Sequence, residues 1–344
     1  MKFGVLQFFS WPGRRVPLGK VYDRAFDRIT VMDESGYDAV WLAEHHFSTY
    51  SVCPSVHMMG THVAAHTKNI RIGTAVSLAS FYHPLRLAEE VALLDQLTKG
   101  RVNWGAGRGF DATEHKVFGV APEDSYPRFR ESVEVVLKAW QDGPFSHKGD
   151  YFEFDNVEVL PKPYQKDMPV WMAATSEDSI EWAASQGLSI LLGPHASHAE
   201  SRVKYDFYKT NLETAGFSFE GRSIPLTRTI AIGETMEEGV EIGRRGAQFM
   251  FGNYLNQSKN IRGGAKAAAA GKTQVNDAVL AAERENVDPI ERYVNQVALC
   301  GSTEKVIDDI ERLRETNGID YLMIAPLSHD SFIRFTEKVM PRFL

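Results

Sequence analysis

Residues 44–46, Glu-His-His, close an apolar run formed by Ala39, Val40, Trp41, Leu42 and Ala43. An imidazole exchanges protons near neutral pH, and a neighbouring carboxylate can orient it. The triplet Glu44, His45 and His46 therefore marks a candidate acid–base site where a buried strand emerges. The bland alternative is that the histidines only satisfy backbone at the start of a loop. Two histidines and an acid are also metal-ligand types, but successive strand residues face opposite sides, which argues against a shared ion.

Two further stretches point to phosphate. In Trp104–Phe110, "WGAGRGF", three glycines flank Arg108, so backbone amides and a guanidinium can approach an anion closely. The spacing is GxGxG rather than GxGxxG, and no following helix is expected, so this is not a dinucleotide fingerprint. In 173–182, "AATSEDSIEW", a strand runs into a helix at Thr175, Ser176 and Ser179. A helix start offers unpaired amides and positive dipole to phosphate, although the same hydroxyls would also serve as ordinary caps. The chain has no Walker loop, GxSxG or HExxH motif. A phosphate-bearing cofactor is expected rather than a nucleoside triphosphate.

These residues need a scaffold that collects strand ends. Strands are expected at 2–8, 39–43, 70–76, 102–105, 170–174, 189–192, 226–232 and 321–325. Helical spacing covers 22–35, 55–66, 84–98, 127–141, 177–186, 200–215, 236–251 and 303–316. Gly36, Gly100 and Gly187 sit where helix C-termini should be. Eight strand–helix repeats predict one α/β domain over 1–344, a (β/α)₈ TIM barrel whose chemistry lies at the strand C-termini. A doubly wound open sheet gives the same alternation. Residues 143–163 read as a β-hairpin insertion, and 256–287, rich in Gly, Ala and Lys, as a long lid loop. Phe8, Phe9, Trp104 and Phe110 are candidate pocket walls.

Composition narrows the function classes. The 344 residues carry a formal charge of −7, unsuited to nucleic acid or anionic membranes. Two cysteines without CxxC spacing exclude a disulfide scaffold and suit a reducing, cytoplasmic setting. No apolar stretch approaches the roughly 18 residues a membrane span needs, and the start does not read as a signal peptide.

The stretches "GYDAVWLAEHHF", "NIRIGTAV", "YHPLRLAEEVALLDQLTKGRVNWGAGRG", "HKVFGV" and "EWAASQGL" occur in an order that resembles the bacterial luciferase-like flavin-dependent monooxygenases. The likeness runs from residue 1 to about 190 and resumes weakly at "ALCGSTEKVIDDIERL". It implies a barrel that binds reduced FMN as co-substrate and activates molecular oxygen as a C4a-peroxyflavin. By position, Arg108, Thr175, Ser176 and Ser179 would hold the FMN phosphate, and His45 with Glu44 would serve catalysis. A non-prolyl cis peptide under the flavin would fall at Ala75–Val76, and 256–287 would be the mobile shielding loop. Where luciferase has a reactive cysteine before the arginine, this chain has Gly107, so light emission does not follow.

The expected function is a two-component monooxygenase oxygenating a small organic substrate such as an aldehyde, a ketone or another apolar compound. With no nicotinamide site visible, a flavin reductase is the expected electron donor. Hydride transfer with F420 or flavin, and flavin binding without turnover, are the alternatives. The small and apolar residues of 55–66 (Met58, Met59, Gly60, Ala64, Ala65) suggest a homodimer face.

Overall fold

The computed structural model describes residues 1–261 and 285–344. In chain order its strands are β1 (Lys2–Gln7), β2 (Ala39–Leu42), β3 (Arg71–Thr74), β4 (Ser77–Leu78), β5 (Val102–Gly107), β6 (Phe145–Lys148), β7 (Glu153–Val157), β8 (Val170–Ala173), β9 (Ser189–Leu191), β10 (Leu226–Ile232), β11 (Leu299–Gly301) and β12 (Tyr321–Pro326). The helices are α1 (Leu18–Glu34), α2 (Val56–His66), α3 (Pro84–Thr98), α4 (Ala112–Phe118), α5 (Ser125–Ala139), α6 (Glu177–Ser185), α7 (His198–Thr214), α8 (Met236–Ile261), α9 (Pro289–Gln296), α10 (Thr303–Asn317) and α11 (His329–Arg334).

All strands but β6 and β7 join one curled parallel sheet, ordered β11-β10-β12-β1-β2-β3-β5-β8-β9, with β4 beside β5. An isolated parallel bridge links Leu192, just past β9, to Leu226 at the start of β10. Strands β2, β5 and β10 are buried at every position, as expected where helices cover one face and side chains fill the other. The helices supply the outer layer through one apolar stripe each. In α1 that stripe is Val21, Ala25, Ile29 and Met32, and burying each large side chain contributes about 1.5–3 kcal/mol.

Inside the curl, aromatic side chains plug the end where the strands begin. Trp41 meets Trp171 edge-on at 5.2 Å, and its indole N–H donates to the Tyr321 hydroxyl at 2.9 Å. Gly73 makes the room, since a Cβ there would lie 2.3 Å from the Trp41 ring. The opposite end, where strands finish, stays open and holds the cavity described below.

Several expectations change at this level. Phe9 and Trp104 are not pocket walls: Phe9 packs on Tyr22 and Trp104 on Trp140, both fully buried in the outer layers. A helix, α4, does follow the glycine run. Gly36, Gly100 and Gly187 all take positive φ, as helix C-termini require. The hairpin insertion is present as antiparallel β6 and β7. Its turn is pinned by Glu131 of α5, whose carboxylate accepts from the amides of Tyr151 at 3.0 Å and Phe152 at 2.8 Å, and from His147 at 3.1 Å. Of the expected lid, 256–261 continue α8, while 262–284 lie outside the described residues. No helix among the described residues is long and apolar enough to cross a membrane.

Candidate active site

A cavity opens at the strand C-termini. Glu44, His45, Ala75, Val76, Arg108, Thr175 and Ser179 all line it. Ser176 does not.

One end is cationic. Arg108, just past β5, lies with its guanidinium carbon 4.4 Å from the centre of the Tyr126 ring and donates to Ser125 Oγ at 2.9 Å. Burial lowers its pKa, partly opposed by Tyr126, yet it stays far above neutrality and keeps its charge. No carboxylate pairs with it among the described residues. Arg130, one turn along α5 from Tyr126, approaches the same ring at 5.8 Å and the Trp182 ring at 5.4 Å. The start of α6 completes this end. Ser176 is its N-cap, and Ser176 and Ser179 form a reciprocal capping box. Ser179 Oγ also accepts from the Thr175 amide at 3.1 Å. The capping role of Ser176 and Ser179 is therefore real, and the side chains that reach the cavity are Thr175 and Ser179.

The middle is flat and apolar. The Ala75–Val76 peptide is cis, at the position the resemblance implied. Thr74 holds this stretch to β5, donating its hydroxyl to Gly105 O at 2.7 Å and accepting from Gly105 N at 2.9 Å. A Cβ at Gly107 would lie 2.4 Å from Val76 Cγ2, so the glycine lets Val76 reach the cavity wall. Any larger residue there forces Val76 to move.

The other end is aromatic. His45 stacks parallel to Phe8 at 6.3 Å and meets the edges of Tyr50 at 5.0 Å and Phe110 at 5.8 Å. Its Nδ1 lies 3.7 Å from Glu114 Oε1, a carboxylate buried on α4 that also accepts the His46 amide at 2.8 Å. Nδ1 is thus the ring nitrogen nearer that carboxylate. His195 lines the same end, but burial and the nearby Arg228 push its pKa down to about 3, so it stays neutral and cannot serve as an acid.

Glu44 has a different place from the one its neighbour suggests. Its carboxylate accepts from Leu78 N at 3.2 Å, the Tyr82 hydroxyl at 3.0 Å and His46 Nε2 at 3.1 Å. Burial and this carboxylate push the Tyr82 phenol up, which keeps it a donor. Three partners fix Glu44 as an anchor between β2 and the strand end carrying Val76, and His46 points to it rather than to the cavity. Among the described residues no group of histidines, cysteines and acids is arranged to hold a metal.

Sequence reasoning missed Arg130, Tyr126 and Glu114. A usable signal existed for Glu114: Asp111, three residues earlier, is a cap type, and it does cap α4 by accepting from Thr113 N at 2.7 Å. No comparable signal marks Arg130 among the three arginines and lysines of 125–139.

The curled α/β sheet thus carries, at its strand ends, one cavity with a cationic and an aromatic end. The family model for luciferase-like monooxygenase matches residues 1–320, and the chain belongs to that family. It is 27% identical over 286 residues to the alkanal monooxygenase alpha chain of Aliivibrio fischeri, covering 83% of this chain and 80% of that one. It is 30% identical over 178 residues, 51% of this chain and 49% of the other, to the oxygenase component of the flavin-dependent trigonelline monooxygenase of Acinetobacter baylyi. Its fold matches the oxygenating constituent of 3,6-diketocamphane monooxygenase from Pseudomonas putida, solved with FMN, at a TM-score of 0.78 and 20% identity, over 100% of this chain and 99% of that one.

Proposed function

We propose that the chain is the oxygenase of a two-component system, taking reduced FMN from a flavin reductase and oxygenating a small apolar substrate such as an aldehyde or ketone. The observation that carries this reading is the joining, in one cavity, of an end carrying Arg108 and Arg130 to a ring-lined end holding His45. The residues fit FMN. Arg108 has no competing carboxylate among the described residues, Arg130, Thr175 and Ser179 line the same cavity, and the apolar wall at Val76 and Gly107 suits a planar ring system. Arg108, Arg130, Thr175 and Ser179 hold the phosphate, and Ala75, Val76 and Gly107 support the ring. Bound reduced FMN supplies the electrons that activate dioxygen. The chain's own part is to exclude water with Phe8, Tyr50 and Phe110, and to move one proton at His45 Nε2.

Two structural readings accompany it. The Leu192–Leu226 bridge supports closure of the curled sheet into a (β/α)₈ barrel. Met58 on α2, with Leu93 and Leu97 on α3, is exposed and supports a homodimer through that face. Gly60 itself packs inward, where a Cβ would lie 2.9 Å from Leu94.

The test is oxygen uptake by the purified protein given FMN, NADH, a flavin reductase and a panel of aldehydes and ketones. Substrate-dependent product formation is expected. Product formed anaerobically with reduced F420, and none with FMN and oxygen, overturns the reading in favour of hydride transfer.

A further inference from the structure

Arg130 lines the cationic end, yet its guanidinium donates to Asp178 Oδ2 at 2.6 Å. Asp178 lies in the first turn of α6, two residues past the cap Ser176, with its side chain 71% exposed against 28% for Arg130. Two guanidiniums thus share the Tyr126 ring, and only Arg130 has a counter-ion. Glu177, the other acid of that turn, makes no ion pair among the described residues.

We infer that Asp178 is a built-in competitor for the flavin phosphate. It holds Arg130 until the phosphate arrives and afterwards keeps the bound flavin exchangeable. The inference rests on the phosphate reading above. An ion pair this exposed is weak, because water screens it and two side chains lose freedom to form it. A phosphate dianion between two guanidiniums and a helix start gains stronger, charge-assisted bonds in a half-buried cleft. The exchange therefore favours phosphate, and Asp178 can turn to water without stranding a buried charge. Its carboxylate nevertheless stays beside the phosphate and repels it. That opposition suits a cofactor that arrives reduced from another protein and must leave after each cycle.

The experiment measures dissociation constants and release rates of FMN and riboflavin, oxidised by fluorescence and reduced under anaerobic titration, for the native chain and the variants Asp178→Asn, Glu177→Gln and Arg108→Ala. Asp178→Asn should tighten FMN roughly three- to tenfold, mainly by slower release, and leave riboflavin unchanged. The gain should shrink as salt rises. Glu177→Gln removes the same charge from the same turn without touching Arg130 and should move FMN by less than about twofold. Unchanged or weaker FMN binding in Asp178→Asn overturns the proposal, as does equal tightening by Glu177→Gln. If Arg108→Ala weakens riboflavin as much as FMN, the phosphate reading fails and takes this inference with it. A selective loss of FMN in Arg108→Ala beside a flat response in Asp178→Asn breaks the competitor role alone.

Discussion

The two ends of the cavity solve opposite problems. At one end Arg108 and Arg130 lie on the faces of Tyr126 and Trp182, so positive charge is concentrated and oriented by neutral rings. At the other end Phe8, Tyr50 and Phe110 surround the His45 imidazole, and the Glu114 carboxylate lies 3.7 Å from its Nδ1. Aromatic side chains serve in both places, but with different consequences. Around the arginines their faces keep cations charged in a partly desolvated site. Around His45 they thin out water and leave one polar atom to act. The difference predicts that binding and turnover can be damaged separately.

The largest effect should come from His45→Ala. Turnover is expected to fall by about 10²-fold or more, the usual scale for a lost acid or base, with FMN affinity held within a few-fold. Rapid-mixing and equilibrium titration measure the two quantities side by side. A parallel collapse of FMN binding would merge the two ends. Arg108→Ala should do the reverse, weakening FMN by ~1.5–3 kcal/mol while sparing riboflavin, with turnover recovered at saturating FMN. Glu114→Gln should be milder, costing roughly tenfold in turnover, because its amide oxygen can still accept the His46 amide while the charge behind Nδ1 is gone. Measured in the His45→Ala background, the same substitution should have almost no effect. An undiminished loss there would mean that Glu114 acts on something other than His45.

Legibility in the sequence followed burial and length. All eight expected strands are present, because long β-branched runs flanked by helical periodicity have few other readings. Strand β11 escaped because three residues, Leu-Cys-Gly, carry no period at all. Helix α4 escaped for a similar reason, with fewer than two turns and a glycine run before it. At the site, Arg108, Thr175 and Ser179 could be found because glycines and hydroxyls at strand ends have a physical reason to face an anion. Glu44 lines the cavity as well, but its contacts with Leu78, Tyr82 and His46 could not be read from its adjacency to His45. Arg130 and Glu114 act across the fold, from helices whose outward periodicity gives no hint that one residue turns inward. Trp104 shows the converse error, since an aromatic at a strand end can face the helical layer as easily as the cavity.

The pairing of β1 with β12, in register from Lys2 opposite Tyr321 to Val5 opposite Ile324, has a cost in time. One edge of β1 is satisfied only by a strand more than 300 residues later. At about 5–20 residues per second, the ribosome leaves that edge open for roughly 15–60 s. During that interval β1 can pair with β2 on its other side, but its free edge carries Phe3, Val5 and Leu6 unprotected. The nascent chain is therefore exposed to mispairing at β1 until β12 is made. Slowing translation of the stretch just before β12, without altering a single residue, should raise the fraction lost to aggregation.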